Sequence, residues 1–414
     1  MSAAQPVLPG VTAPAYDVST PLDLDYVGAF AHATPAERAH QLAARAFVQD
    51  EVLGVIDGHW ERAEVPFGLV KGLAERDLLR DGVDVPGRAT VSALAAGLAA
   101  MELSRGDGSV ATICGVQGGL ALRSIAMLGS DEQIARYAEP LARGEILAAF
   151  ALTEPTHGSD SVSLETTARR VTRDGVEGYV IDGEKRWIGL GSCGDLAVVW
   201  ARLVGEGGDG QVHAFLVPQD AAGYRATTIE GKVALRAITQ AHIVLDSVFV
   251  PLDAALPGAT SFRAASRVLF ATRLGVAWAA VGHAIACYEA ALAYAGQRVQ
   301  FGRPLAASQL VQERLARMLA IVTQSQVLVA QVTRLAESDA LTGPQASLAK
   351  MTCTRGAREV AAIARDLLGG NGILLANRVA RHFADIEALH TYEGTESVNA
   401  LIIGRDVTGY SAFA

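Results

Sequence analysis

A carboxylate set in a short turn ahead of the last helical segment is the first group that could do acid–base chemistry. It is Glu393, in Tyr392-Glu393-Gly394-Thr395, with Thr395 placed to cap the helix that follows. The neighbours Ala388, Leu389 and Val398 are apolar. A carboxyl desolvated there has its pKa raised and becomes a usable general base near neutral pH. The plainer alternative is a surface glutamate favoured by the helix dipole. Four other segments carry polar or aromatic groups at turns. Leu152-Thr153-Glu154-Pro155-Thr156-His157-Gly158-Ser159-Asp160 ends a β-rich run, where hydroxyls and a glycine suit close approach to a planar or phosphorylated ligand, or form an ordinary loop. Gly183-Glu184-Lys185-Arg186-Trp187-Ile188-Gly189 sets an indole among charges, able to stack on an aromatic cofactor or to cap a core. Arg298-Val299-Gln300-Phe301-Gly302-Arg303-Pro304 offers two guanidinium groups for a pyrophosphate, or a basic helix end stopped by Gly-x-Pro. Gly369-Gly370-Asn371-Gly372 is a turn whose N–H groups can face an anion, or a plain tight turn.

The elements that must position these groups fall into three blocks. Residues 1–30 are rich in Pro, Ala and Thr and read as a loosely attached arm. From 31 to 147 the spacing is helical, with apolar residues such as Val91, Leu94, Ala95, Leu98 and Met101 on one stripe and a helix start at Thr34-Pro35. From 148 to 258 short β-rich runs alternate with turns: Leu147–Leu152, Thr166–Thr172, Tyr179–Ile181, Leu196–Ala201, Val212–Val217, Arg225–Ile229 and His242–Val250. They predict a small barrel or sandwich. From 259 to 414 four long periodic segments, 263–296, 305–337, 344–368 and 395–410, predict an antiparallel bundle. The fold class is therefore mainly α with a central β domain.

Composition bounds the rest. The chain has 414 residues, half of them hydrophobic, and a net charge of −9, which argues against nucleic-acid or membrane-surface binding as its main task. The four cysteines are too widely spaced for a metal or redox pair, and no metal is expected. Val268 to Ala295 is apolar but carries Arg273, His283 and Glu289, so it reads as a buried helix, not a membrane span. With no secretory pattern at the N-terminus, a cytoplasmic location is expected.

Each motif alone is weak; their order is specific. From about Leu42 onward the chain resembles the acyl-CoA dehydrogenase family, through Thr153-Glu154-Pro155 with Gly158-Ser159-Asp160, Lys185-x-Trp187-Ile188, Arg298-x-x-Phe301-Gly302, Gly369-Gly370-Asn371-Gly372 and Tyr392-Glu393-Gly394-Thr395. The resemblance implies an N-terminal helical domain, a middle β domain and a C-terminal four-helix bundle. It implies FAD as cofactor and an acyl-CoA substrate oxidised to the trans-2-enoyl-CoA, with Glu393 removing the α-proton and the β-hydride going to flavin N5. The Glu393 N–H would bind the thioester carbonyl. Leu152, Thr153, Ser159, Trp187, Ile188 and Gly189 would meet the cofactor, with Thr395 and Gln309. Arg298, Phe301, Gly369, Gly370, Asn371 and Gly372 would contact the FAD of a neighbouring subunit. Ser159, Arg273, Tyr392, Gly394 and Thr112 would line the substrate site. Partners implied are an electron-transfer flavoprotein and further copies of the chain, usually four.

Within the family, Arg381-His382, Glu387-Ala388, Leu401-Ile402-Ile403-Gly404-Arg405 and Thr408-Gly409 resemble the branch of glutaryl-CoA dehydrogenases and plant-type short-chain acyl-CoA oxidases. The arginine that pairs with a distal carboxylate in glutaryl enzymes aligns with Ala111, and Ser104 stands at the acidic position of that site; Arg105 is the nearby alternative. An uncharged, short- to medium-chain acyl group is the expectation, because a buried carboxylate without a partner is costly. Gly189 replaces a threonine common in the family, which keeps an oxidase using dioxygen as the first rival. A flavin monooxygenase on the same fold is a second, disfavoured by Glu393, and a non-catalytic scaffold a third.

Overall fold

The computed structural model describes residues 16–412. Helices α1 (Pro35–Phe47), α2 (Ile56–Arg62), α3 (Gly68–Glu75), α4 (Ala93–Gly106), α5 (Gly108–Cys114), α6 (Arg123–Leu128) and α7 (Asp131–Ala142) come first. Thr34 caps α1 through a reciprocal box with Glu37, as the sequence suggests. Gly115–Leu122 winds more widely between α5 and α6 and makes one rod of Gly108–Leu128.

A sheet follows: β1 (Ala148–Ala151), β2 (Thr167–Arg173), β3 (Val176–Gly189), β4 (Leu196–Val204), β5 (Val212–Pro218), β6 (Tyr224–Thr228) and β7 (Gln240–Pro251). Its order is β1-β4-β2-β3-β7-β6, with β5 on β4. β1 and β2 pair parallel with successive stretches of β4, and β5 runs antiparallel along the other edge of that strand. All seven β-rich runs are strands. β3 extends well beyond Tyr179–Ile181, because its polar residues 182–187 lie on a ribbon paired with β7.

The remaining chain forms α8 (Phe262–Gln297), a hairpin of β8 (Val299–Gln300) and β9 (Arg303–Pro304), then α9 (Gln309–Glu337), α10 (Gly343–Leu367), α11 (Val379–Thr391) and α12 (Glu396–Thr408). Four expectations are corrected by the structure. The segment from 305 begins as a helix only at Gln309, after a short 3-10 turn. Residues 299–304 form a two-residue-loop hairpin, not a simple helix stop, with Phe301 at φ +50° and Gly302 at φ +76°. Helix α11 was not foreseen; its inward face carries Arg381, His382 and Asp385, so the apolar stripe that signals a helix is replaced by charge. The described part of the arm is also seated rather than loose: Val18 and Phe30 are buried, and Leu22 N–H donates to the Glu289 carboxylate.

Three helices, Gly108–Leu128, Phe262–Gln297 and Gln309–Glu337, are long and apolar enough to cross a membrane by length and composition. Here α8 lies against α4, α9, α10 and α11, and its apolar surface goes into the main core. A second core joins α6, α7 and the start of α8 to β1, β4 and β5; a third lies on the opposite face of the sheet. The four cysteines are free.

Candidate active site

Glu393 sits in the reversal between α11 and α12. Its backbone is left-handed, φ +55°, and Gly394 follows at φ +85°. Such a conformation costs a non-glycine residue roughly 1–2 kcal/mol, so the surroundings must hold it. Thr395 caps α12 by accepting from the Val398 N–H, as expected. The Glu393 Oε1 accepts from Thr272 Oγ at 3.0 Å, on α8. Its Oε2 is buried and meets no protein donor among the described residues. Its N–H likewise has no acceptor there. Burial pushes this carboxyl up to about 7; the Thr272 hydroxyl, then Arg273 and Lys350, pull the other way. The residue as a whole is only partly buried, so the desolvation is local to the carboxyl.

Arg273 and Lys350 supply the nearby positive charge. Arg273 reaches Ser347 Oγ at 3.1 Å, and its Nε is buried without an acceptor among the described residues. Lys350, on α10, is 0% exposed and donates to the carbonyls of His390, Tyr392 and Gly394. Neither Thr272 nor Lys350 was picked out from the sequence. Lys350 could have been, since it lies on the buried stripe Ala346, Ala349, Cys353, Ala357 of α10, where a lysine is out of place. Tyr392 reaches the Thr112 hydroxyl. The structure thus gathers Glu393, Arg273, Tyr392, Gly394 and Thr112, all named from sequence.

The second group sits on the sheet. Lys185, fully buried, bonds to Glu154 Oε1 at 2.8 Å and to the Leu152 carbonyl at 3.0 Å. The Glu154 carboxylate also accepts from the Glu165 and Thr166 N–H groups. With the Arg186 N–H donating to the Thr153 carbonyl at 2.8 Å, this pins Leu152 and Thr153 beside Trp187. Between the pairs Lys185–Ile243 and Ile188–Ala241, β3 has one residue more than β7. That bulge puts Trp187 at φ +64° and turns its indole outward, 54% exposed. Ile188 and Gly189 are buried behind it, and Ser159 is exposed on the loop after Pro155.

The rod Gly108–Leu128 bridges the two groups. A Cβ on Gly189 would stand 2.9 Å from Val116, and one on Gly119 would stand 3.7 Å from Thr272, the partner of Glu393. Val116 and Gly119 are about one helical turn apart, so Gly189, two residues after Trp187, and Thr272, the partner of Glu393, lie against the same stretch of this rod.

The third group lies elsewhere. Arg298 is 25 residues beyond Arg273 on the line of α8, about 37 Å along a helix axis. There Asn371 Nδ2 donates to Tyr294 Oη at 3.0 Å, and Arg298 to Tyr16 Oη at 3.2 Å. Gly372 packs where a Cβ would lie 2.2 Å from the Arg365 carbonyl; Gly369, Gly370 and Gln309 are exposed. Within one chain these residues do not join the Glu393 cleft.

Arg105, the alternative partner for a distal carboxylate, is spent internally: it is buried between Glu102 at 2.9 Å and Glu289 at 3.3 Å. Ser104 is buried, its hydroxyl without a partner among the described residues. Among the described residues one cluster has metal-like donors, Glu154, His157 and Glu165, and its Glu154 carboxylate is already held by the Lys185 ammonium.

An outward indole, a close-packed glycine and a buried carboxyl oxygen with no hydrogen-bond partner among the described residues fit a flat aromatic cofactor with a substrate between it and Glu393. The family models for the acyl-CoA dehydrogenase N-terminal, middle and C-terminal domains match residues 34–145, 149–248 and 262–408. An acyl-CoA dehydrogenase of Bacillus subtilis (strain 168) is 32% identical over 91% of this chain and 99% of its own. The mitochondrial short-chain specific acyl-CoA dehydrogenase of Homo sapiens is 30% identical over 88% of this chain and 89% of its own. A glutaryl-CoA dehydrogenase from Mycobacterium smegmatis, in complex with FADH2, superposes with TM-score 0.88 at 35% identity, covering 92% of this chain and 96% of that one. Fold, cleft and sequence agree: the chain belongs to the acyl-CoA dehydrogenase family of FAD-dependent oxidoreductases.

Proposed function

We propose that this protein converts a short- to medium-chain, uncharged acyl-CoA to its trans-2-enoyl-CoA, with Glu393 as the base. The observation that carries this reading is the buried Glu393 Oε2 without a hydrogen-bond partner among the described residues, in a carboxyl raised to about 7. A solvated carboxylate is too weak a base for a thioester α-proton, and a desolvated one is stronger. The Glu393 N–H, claimed by no protein acceptor among the described residues, is the donor this chain offers to the thioester carbonyl. Carbanion character at the α-carbon is stabilised there as negative charge on that oxygen. When bound, FAD supplies the acceptor for the β-hydride, so that one proton and one hydride leave and the α–β bond becomes double. Leu152, Thr153, Trp187, Ile188 and Gly189 would hold its ring system.

The uncharged substrate is supported by Arg105 being committed to Glu102 and Glu289, and by Ala111 and Ser104 standing where the family resemblance puts the carboxylate-binding site of glutaryl enzymes. The human short-chain relative supports the shorter range. Fully exposed Phe301, held in a left-handed turn beside exposed Val299 and Leu310, supports assembly with further copies, so that Arg298 and Gly369–Gly372 serve a neighbour's cofactor. Electron-transfer flavoprotein is the proposed acceptor.

Anaerobic titration of the FAD-loaded enzyme with butyryl-, octanoyl- and glutaryl-CoA tests the reading. Bleaching of the flavin by the first two and not by glutaryl-CoA is expected. Preferential bleaching by glutaryl-CoA contradicts the substrate assignment. Rapid reoxidation in air would favour the oxidase instead.

A further inference from the structure

The fold places a cation where no side-chain anion pairs with it directly. Lys350 is 0% exposed about two turns into α10 and forms no ion pair among the described residues. Its three N–H donors have three carbonyl acceptors: His390 at 3.3 Å, Tyr392 at 2.6 Å and Gly394, closer still. An ammonium brought into the interior loses several kcal/mol of hydration, and a neutral donor would be cheaper if holding a turn were the whole task. The acceptors make the difference. The carbonyls of Tyr392 and Gly394 flank Glu393 on either side and both converge on Nζ. With those carbonyls turned to α10, Glu393 is left to reach α8, where Thr272 meets it. Asn399, on α12, adds a second donor to the Gly394 carbonyl at 2.7 Å.

We propose that Lys350 is the positioning residue of the base: its ammonium clamps the left-handed Tyr392–Gly394 turn by the carbonyls, aiming the Glu393 carboxylate and stabilising its charged form. This deepens the reading of Glu393 as base and rests on it. The charge acts as well as the geometry, because Lys350 lowers the pKa of Glu393 while burial raises it. The titratable groups facing Lys350 are Glu393 in the turn, Glu396 on α12 and Arg273 on α8, with His390 on α11 nearby. Glu396 is already engaged by Arg355 and His390, which leaves Glu393 the least committed of the anions. Burial brings Lys350 down to about 8, so the clamp loses a donor at mildly alkaline pH.

The test is the pH profile of kcat and kcat/KM for the FAD-loaded wild type, Lys350→Met and Lys350→Arg, with FAD content and melting temperature measured on each. In Lys350→Met, kcat should fall at least about tenfold with a smaller change in KM, and the acid limb should move up by on the order of one pH unit. An acid limb left at the wild-type position overturns the proposal. Lys350→Arg keeps the charge and does not depend on the methionine variant folding. Its alkaline limb near 8 should disappear, because guanidinium does not titrate there. A limb that persists in Lys350→Arg overturns the proposal too. Glu393→Gln, assayed alongside, separates the two claims. Turnover that survives it removes the base itself; turnover lost in it, with both Lys350 variants like wild type, removes only the clamp.

Discussion

At Glu393 three environments compete, and their balance sets the chemistry. Burial raises the carboxyl; the Thr272 hydroxyl and two cations lower it; the result is about 7. Only the ionised form accepts a proton, so kcat/KM should rise with pH through that value. Thr272 is the adjustable part. Its hydroxyl donates to the carboxylate and also lies 3.1 Å from the Leu269 carbonyl, so it can serve the carboxyl in either protonation state. Thr272→Val removes a hydrogen bond to the charged form, and the acid limb of kcat/KM should move upward by about one unit. A limb that moves down would mean that the hydroxyl favours the neutral acid.

Among the elements, the rod Gly108–Leu128 joins the two groups, since a Cβ on Gly189 would meet Val116 and one on Gly119 would meet Thr272. Gly189→Val would press its Cβ to 2.9 Å from Val116, and overpacking of this kind costs about 1–3 kcal/mol. A lowered melting temperature and weaker FAD retention are expected; a variant as stable as wild type would show that the contact yields freely. The strands were legible in the sequence because β-rich runs bounded by turn residues mark them, although β1 and the first half of β4 are buried on both faces and show no alternation. The base was legible through Tyr392-Glu393-Gly394-Thr395. Helix α11 was not, because Arg381 pairs with Asp57 and Asp107, each at 2.6 Å, and Asp385 accepts from Trp60 and the Leu235 N–H. Charged residues that find partners only in the folded chain look like surface in a linear reading. Lys350 stands out in the sequence as a lysine on an apolar stripe, but its role does not, because its partners are carbonyls 40 to 44 residues away. The bulge at Trp187 depends on pairing with β7, which local spacing does not encode.

Across the whole molecule, α8 separates two ends. One carries Thr272 and Arg273 at the base; the other carries Tyr294 and Arg298 beside the glycine turn. A side chain as apolar as Phe301, fully exposed at a hairpin tip, gains only if another surface covers it. Phe301→Asp should shift the protein to smaller species in size-exclusion chromatography with light scattering, and should loosen FAD. An unchanged mass would show that the tip lies outside any interface between copies.

The central claim is that Glu393 takes the α-proton, and single-turnover reduction measures it most directly. FAD-loaded wild type and Glu393→Gln are mixed anaerobically with butyryl-CoA and the flavin absorbance is followed. Loss of the base predicts bleaching slowed by about 10²–10⁴-fold or more, with FAD content and thioester binding retained. Bleaching at the wild-type rate in Glu393→Gln would contradict the account.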